Sequence, residues 1–258
     1  MRRPSWSSLV AVAGCVLASV SGCETVPMTG RSQLQLVSPD QEAQMGADAY
    51  KEILGKAKLS NDPAVNVLVN RVGTRIAAAT GRKDLPWEFT VIDDSKTANA
   101  FALPGGKVAV YTGILPVTRD EAGLAAVLGH EVAHVLARHS AERISRQLAL
   151  QLGVEWLGTA AGVNPQLTQA GGAILVSAIQ LPWGRSQESE ADHLGLLYMA
   201  KAGYDPRAAR DLWVRMGQAS QGRSRPPEFL STHPSEETRV QQIDAWLPEA
   251  LRYYTPPR

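Results

Sequence analysis

The sequence predicts an α+β fold that is mainly helical, with a small antiparallel sheet set beside a long helix. Three observations lead there. Apolar residues recur at helical spacing over most of the chain, as in Val65, Leu68, Val69, Val72 and Ile76. Alternating, β-branched segments are confined to one stretch between Trp87 and Thr112. The chain has 258 residues, 44% hydrophobic and 20% charged, which is enough for one substantial core.

The first residues stand apart from that core. Arg2 and Arg3 precede a short apolar stretch, Leu9 to Val20, which is too short to span a bilayer as a mature helix. It ends in Val20-Ser21-Gly22-Cys23, which resembles the lipobox of bacterial lipoproteins. That resemblance implies a signal peptide at 1–22 and a lipid on Cys23 that holds the protein to a membrane. The alternative is a plain secretory signal. Glu24 is not Asp, which by the lipoprotein sorting rule points to the periplasmic face of the outer membrane. Cys15 and Cys23 are the only cysteines, so a mature domain has no disulfide and no thiolate to offer a metal. Residues 23–38 are polar and aperiodic and read as a lipidated tether, leaving 39–258 as a single domain.

The elements follow in order. Ser38 or Asp40 caps a helix to about Lys56, and a second helix starts at Asp62-Pro63, where proline suits the first turn. Trp87 to Ile92, Asn99 to Leu103 and Lys107 to Thr112 read as strands, the last two joined by a Pro104-Gly105-Gly106 turn. Helix resumes at Thr118 or Asp120 and is expected to run past Arg146. Residues 148–182 are apolar and glycine-rich, with Glu155 the sole ionisable group, and read as a helical hairpin. That hairpin either packs near the site, touches the membrane surface, or is a pair of core helices. Further helices are expected at 186–202, 205–216 and 236–246. Lys plus Arg is 26 and Asp plus Glu is 25, a balance without the basic excess that nucleic-acid binding needs.

The chemistry concentrates in Gly129-His130-Glu131-Val132-Ala133-His134, an H-E-x-x-H motif in a helical context. At about 100° per residue, His134 lies about 40° around the helix from His130 and one turn along, so both imidazoles can meet one zinc ion. Glu131 comes within reach of the water that such a site activates. Leu124, Leu128, Val132 and Val135 point away, toward the core. His139 falls about 180° from His130 on a continuous helix, which makes it a buried, hydrogen-bonded structural histidine rather than a ligand. The better third ligand lies in Glu188-Ser189-Glu190-Ala191-Asp192. Glu188 and Asp192 share a helix face, where Glu188 can bind the metal and Asp192 can accept the free N–H of a ligand histidine. Glu190 faces roughly the other way.

With those motifs in place, the chain resembles the gluzincin metallopeptidases, the family that includes HtpX, the CAAX prenyl endopeptidases, LoiP and BepA. It looks most like the LoiP-like lipoprotein members. The resemblance covers roughly residues 38–247. It rests on Asn99-Ala100-Phe101-Ala102-Leu103-Pro104-Gly105-Gly106, on Leu128 to His134, on Glu188 to Asp192 and on Thr232-His233-Pro234. It implies a zincin-like metallopeptidase domain with one zinc ion per chain held by His130, His134 and Glu188. Glu131 is the implied general base, and Asp192 the partner of His130. His233 is implied to stand near the metal, either stabilising the oxyanion or capping the ion at rest, with Arg239 assisting. The strand Asn99, Ala100, Phe101, Ala102 and Leu103 is implied to pair with an extended substrate. The expected activity is endoproteolysis of unfolded or misassembled cell-envelope proteins. The competing expectations are a protease-like chaperone or assembly factor for outer-membrane proteins, and a lipoprotein with a purely structural zinc.

Overall fold

The structure, a computed structural model, describes residues 23–26, 29–156, 183–220, 228–234 and 238–256. The expected signal segment 1–22 and the apolar stretch from 157 to 182 lie outside the described residues. Helix dominates the rest, around one three-stranded sheet and a two-stranded hairpin.

Helix α1 (Pro39–Lys56) begins where the sequence allowed two caps, and Ser38 is the one used. Its hydroxyl accepts from the Gln41 N–H while the Gln41 amide reaches back to the Ser38 N–H, a reciprocal capping box. Asp62 caps α2 (Pro63–Ala79) through the N–H groups of Ala64 and Val65. Three strands follow: β3 (Glu88–Ile92), β4 (Ala100–Leu103) and β5 (Lys107–Tyr111). The expected hairpin is present, with β4 antiparallel to β5 and Ala100 opposite Val110. The sheet as a whole is mixed, in the order β3-β5-β4, because β3 pairs with β5 in parallel. The connection after Ile92 crosses the end of β5, where Gly113 N–H donates to Asp94 O, and places β4 on the far side. The turn needs Gly105 and Gly106 at φ +77° and +78°, a region open to glycine at little cost.

Both faces of the sheet are covered, so its strands lack a solvent side. Ala100, Ala102, Val108 and Val110 belong to the main core with α2 and the helices described below. Phe101, Leu103 and Ala109 pack in a second cluster with Met45, Ala49 and Tyr50 of α1. This is the period-two alternation of a strand buried twice.

After a short helix α3 (Leu115–Thr118), Asp120 caps α4 (Glu121–Leu136) by accepting from the Gly123 N–H. The helix does not continue past Arg146 as the periodicity suggested. It ends at Leu136, and α5 (His139–Trp156) starts afresh after Arg138, whose φ is +54°. Tertiary contacts hold that break: the Arg138 guanidinium donates to Glu42 at 2.7 Å and to the Val37 carbonyl at 3.0 Å, and pairs with Glu24. Helices α6 (Arg185–Lys201), α7 (Arg207–Ser220), α8 (Glu228–Thr232) and α9 (Arg239–Ala250) complete the domain. Among the described residues no helix is long and apolar enough to cross a membrane.

The segment expected as a tether is packed on the domain where it is described. Strands β1 (Cys23–Thr25) and β2 (Ser32–Leu34) form an antiparallel hairpin, and Leu36 N–H donates to Ser145 Oγ on α5 at 2.8 Å. Val26 and Val37 are buried beneath it. The segment shows no apolar period because its inward contacts are largely polar: Gln33 and Gln35 are buried as well.

Candidate metal centre

Two helices carry the site, and glycine brings them together. A Cβ built on Gly129 of α4 would stand 2.8 Å from the Gly195 carbonyl oxygen of α6, and one on Gly195 would stand 2.7 Å from the His130 nitrogen. No side chain fits between the backbones at that point. The close approach sets His130 and His134 directly against Glu188, one to two turns up α6.

The side chains then converge. His130 Nε2 and His134 Nε2 are 3.0 Å apart. Glu188 Oε1 is 3.3 Å from His134 Nε2, and Glu188 Oε2 is 3.6 Å from His130 Nε2. His233, just past α8, adds its Nε2, so that ligand atoms of His130, His134, Glu188 and His233 all lie within 4.8 Å of one another. Donors about 2 Å from a tetrahedral ion stand about 3.3 Å apart, close to the 3.0–3.6 Å among His130, His134 and Glu188. All four residues are buried, with 2–4% of their surface exposed.

The polar bookkeeping supports a cation at this point. Glu188 Oε1, Glu131 Oε1 and His233 Nε2 are buried without a hydrogen-bond partner. Stranding one such atom is costly, and Glu188 and His233, both members of the cluster, have a common explanation in a positive ion. Electrostatics agree. Burial pushes the Glu188 carboxyl up, but the His233, His130 and His134 imidazoles overcome this and hold it well below the usual range. Burial pushes His130 down, yet Glu188 and Asp192 outweigh it and hold the ring up at about 9. Carboxylates that favour a proton here also favour a metal.

Supporting groups fix the ligands. Asp192 Oδ1 is 2.9 Å from His130 Nδ1, as the sequence suggested. Arg239 opens α9 and lies 3.5 Å over the Trp213 ring. It donates to Asp192 through Nε at 2.5 Å and to Glu188 Oε2 through Nη2 at 2.7 Å. Its Nη1 donates to the Pro234 carbonyl at 3.1 Å. With its donors committed in this way, Arg239 positions the two carboxylates.

Glu131 lies one residue along α4 from the first ligand and faces the sheet. It takes a hydrogen bond from the Ala102 backbone, which places β4 beside it. Burial pushes its carboxyl up to about 8, with Glu188 adding to the rise against the pull of His130. Its Oε1 lies 3.4 Å from His233 Nε2. His233 is oriented by its Nδ1, which donates to the Phe229 carbonyl at 3.3 Å and meets the Thr232 hydroxyl at 2.9 Å. Burial pushes this imidazole down to about 3. Strand β4 is at the edge of the sheet, all four of its residues are buried, and the Phe229 N–H donates to the Ala98 carbonyl just before it.

Three residues escaped the sequence reading as functional groups. His139 is buried and hydrogen-bonded as expected, but it does not point into an apolar face. The helix break turns it onto His134, with 2.8 Å between the two Nδ1 atoms. Glu190 does face away from Glu188 and Asp192, and it meets His139 Nε2 at 2.9 Å. Trp183 stacks on His134 at 4.5 Å between ring centres and 27° between planes, with the Arg143 guanidinium 3.7 Å above it. The only available signal was Glu190 itself, a third acid in a five-residue run that already had work for two.

Comparison with known proteins agrees with this geometry. Residues 63–247 match the profile of peptidase family M48. The mitochondrial metalloendopeptidase OMA1 of Schizosaccharomyces pombe is 42% identical over 252 residues, covering 96% of this chain and 74% of the relative. OMA1 of Saccharomyces cerevisiae is 31% identical over 258 residues, covering 93% and 74%. The beta-barrel assembly-enhancing protease of Escherichia coli is 30% identical over 231 residues, 86% of this chain and 47% of the relative. A histidine pair and a glutamate from neighbouring helices, a buried carboxyl beside them and a match through both helices lead to one conclusion: the chain belongs to peptidase family M48 and is a metalloendopeptidase.

Proposed function

We propose that the protein is a zinc endopeptidase that cleaves unfolded or misassembled cell-envelope proteins, tethered by a lipid on Cys23 at the periplasmic face of the outer membrane. The observation that carries the enzymatic part is the convergence of His130, His134 and Glu188 beside the buried Glu131, whose Oε1 has no hydrogen-bond partner. Two imidazoles and a carboxylate in a tetrahedral spacing suit zinc best among common divalent ions, at one ion per chain. The envelope reading draws on the lipobox-like Val20 to Cys23 and on the likeness to a beta-barrel assembly-enhancing protease.

Zinc held by His130, His134 and Glu188 would supply a Lewis acid, able to lower the pKa of water and polarise a carbonyl. Glu131 takes the proton of the attacking water and delivers it to the leaving amine. Asp192 and Arg239 keep His130 and Glu188 aligned. An extended substrate pairs with the edge of β4, gaining affinity from backbone hydrogen bonds with little sequence preference.

His233 brings a ligand atom within 4.8 Å of those of His130, His134 and Glu188, which favours a resting state closed by this imidazole. Helix α8 links the two restraints: Phe229 N–H holds Ala98 ahead of β4, and Phe229 O accepts from the His233 backbone N–H at 2.8 Å. Withdrawal of α8 therefore frees the strand edge and takes His233 away from the cluster. The rival reading, an assembly factor that rarely cuts, is disfavoured by the retained and properly placed Glu131. Casein hydrolysis and zinc affinity of parent and His233→Ala test the resting state. A change in both is expected, and identical values would remove His233 from any gating role.

A further inference from the structure

We propose that His139 is a positioning residue for the metal ligand His134, and that the N-terminal hairpin is built into the metal centre through it. The inference rests on reading His130, His134, Glu188 and His233 as a metal site.

An imidazole that offers Nε2 to a metal keeps its proton on Nδ1, and that N–H needs an acceptor to fix the ring. His130 has a carboxylate for this purpose, Asp192. The corresponding atom of His134 meets another imidazole, His139 Nδ1, at 2.8 Å. With His134 as ligand the bond has one possible direction: His134 Nδ1–H donates and His139 Nδ1 accepts. His139 then carries its own proton on Nε2, which lies 2.9 Å from Glu190 Oε2 and donates to it. One carboxylate on α6 thereby sets the tautomer of two rings in series. His139 is fully buried, so no water substitutes for this partner from outside.

Glu190 is itself held from β1–β2. Arg31 Nε donates to Glu190 Oε2 at 2.8 Å, and the Thr29 hydroxyl donates to Glu190 Oε1. The same guanidinium pairs with Glu142 at 3.0 Å, and Glu142 also accepts from Gln187 Nε2 on α6 at 2.8 Å. The two ligand histidines are thus backed in parallel. Asp192 serves His130 directly and is braced by Arg239 near the C-terminal end. Glu190 serves His134 through His139 and is braced by Arg31 near the N-terminal end. The stretch that follows Cys23 is therefore a structural member of the site as well as a connection to it, and unseating it loosens His134.

The test measures affinity for zinc by chelator competition, and the d–d spectrum of the cobalt-substituted protein, on the parent chain and on His139→Phe, His139→Asn and Arg31→Met. Phenylalanine fills the space without an acceptor, whereas asparagine can present its amide oxygen near the place of Nδ1. Zinc affinity is expected to fall about 10–100-fold in His139→Phe, with an altered cobalt spectrum. His139→Asn is expected to recover most of that loss, which a merely space-filling role would not produce. Arg31→Met, at a partly exposed position, is expected to weaken binding in the same direction by less. Parent-like affinity and spectrum in His139→Phe, or an Asn variant no better than the Phe variant, overturns the positioning role. Unchanged affinity in Arg31→Met overturns the part assigned to the hairpin, and that arm stands even if His139→Phe fails to fold. A parent that binds neither metal defeats the metal-site reading itself, which separates that failure from the failure of this inference.

Discussion

Glu131 has 2% of its surface exposed and sits between the ligand cluster and the backbone of β4. Its position beside, and not among, the ligands lets proton transfer be separated from metal binding. Glu131→Gln should lower kcat on casein by about 10²–10⁴-fold while zinc content stays at the parent level. Loss of the metal in that variant would show that Glu131 is a ligand. A second prediction concerns Glu190. Burial pushes its carboxyl up, but His139, Thr29 and Arg31 overcome this and hold it at about 2, against the usual 4.5. A carboxyl depressed in the folded state stabilises fully above its unfolded value, and the contribution is lost as pH falls toward the folded one. Denaturation midpoints of the metal-free protein should therefore drop between about pH 4.5 and about pH 2. Glu190→Gln should lie lower at neutral pH and show a shallower drop over that window. Parallel curves for the two proteins would mean that Glu190 is not coupled to folding.

At the scale of elements, the crossing of α4 over α6 determines whether the ligands meet. The contact is backbone on backbone, so it cannot yield by rotating a side chain. Gly195→Ala would place a methyl 2.7 Å from the His130 nitrogen and 2.8 Å from the Gly129 carbonyl carbon. The helices must separate to admit it. A loss of about 1–3 kcal/mol in urea unfolding is expected, together with weaker zinc binding as Glu188 is carried away from the imidazoles. Parent-like stability and affinity would show that the crossing is looser than it looks. Much at this scale was legible beforehand. Pro39 and Pro63 in first turns, Asp62 and Asp120 as caps, and the alternating strands are local signals that the fold obeys. The break at Ala137 and Arg138 was not legible, because it is held by Glu24, Glu42 and Val37, about 95 to 115 residues away in sequence. An unbroken helix would have sent His139 elsewhere. The parallel pairing of β3 with β5 was hidden for a similar reason, since periodicity marks strands but not their neighbours.

Over the whole molecule, the candidate metal-binding residues come from α4, from α6 and from the segment after α8, and the main core packs independently of them. Phe229, Leu124, Leu128, Leu194 and Leu197 are buried, and Arg239 ties Glu188 to Asp192 without help from an ion. Chelation should therefore abolish proteolysis while far-ultraviolet circular dichroism stays folded. Collapse of the helical signal on chelation would favour a structural zinc site instead. The convergence of His130, His134 and Glu188 was readable in sequence because helical spacing at 130–134 and 188–192 converts directly into geometry. The bracing of that site by Arg31 was not, since a polar hairpin without apolar period gives no sign of what it touches. The most direct check of the central claim is metal stoichiometry in parent, Glu131→Gln and Glu188→Ala, measured on folded protein beside casein hydrolysis. One zinc per chain in the first two, activity in the parent alone, and a large loss of zinc in Glu188→Ala is the predicted result. Full zinc occupancy in Glu188→Ala, or undiminished hydrolysis by Glu131→Gln, would contradict it.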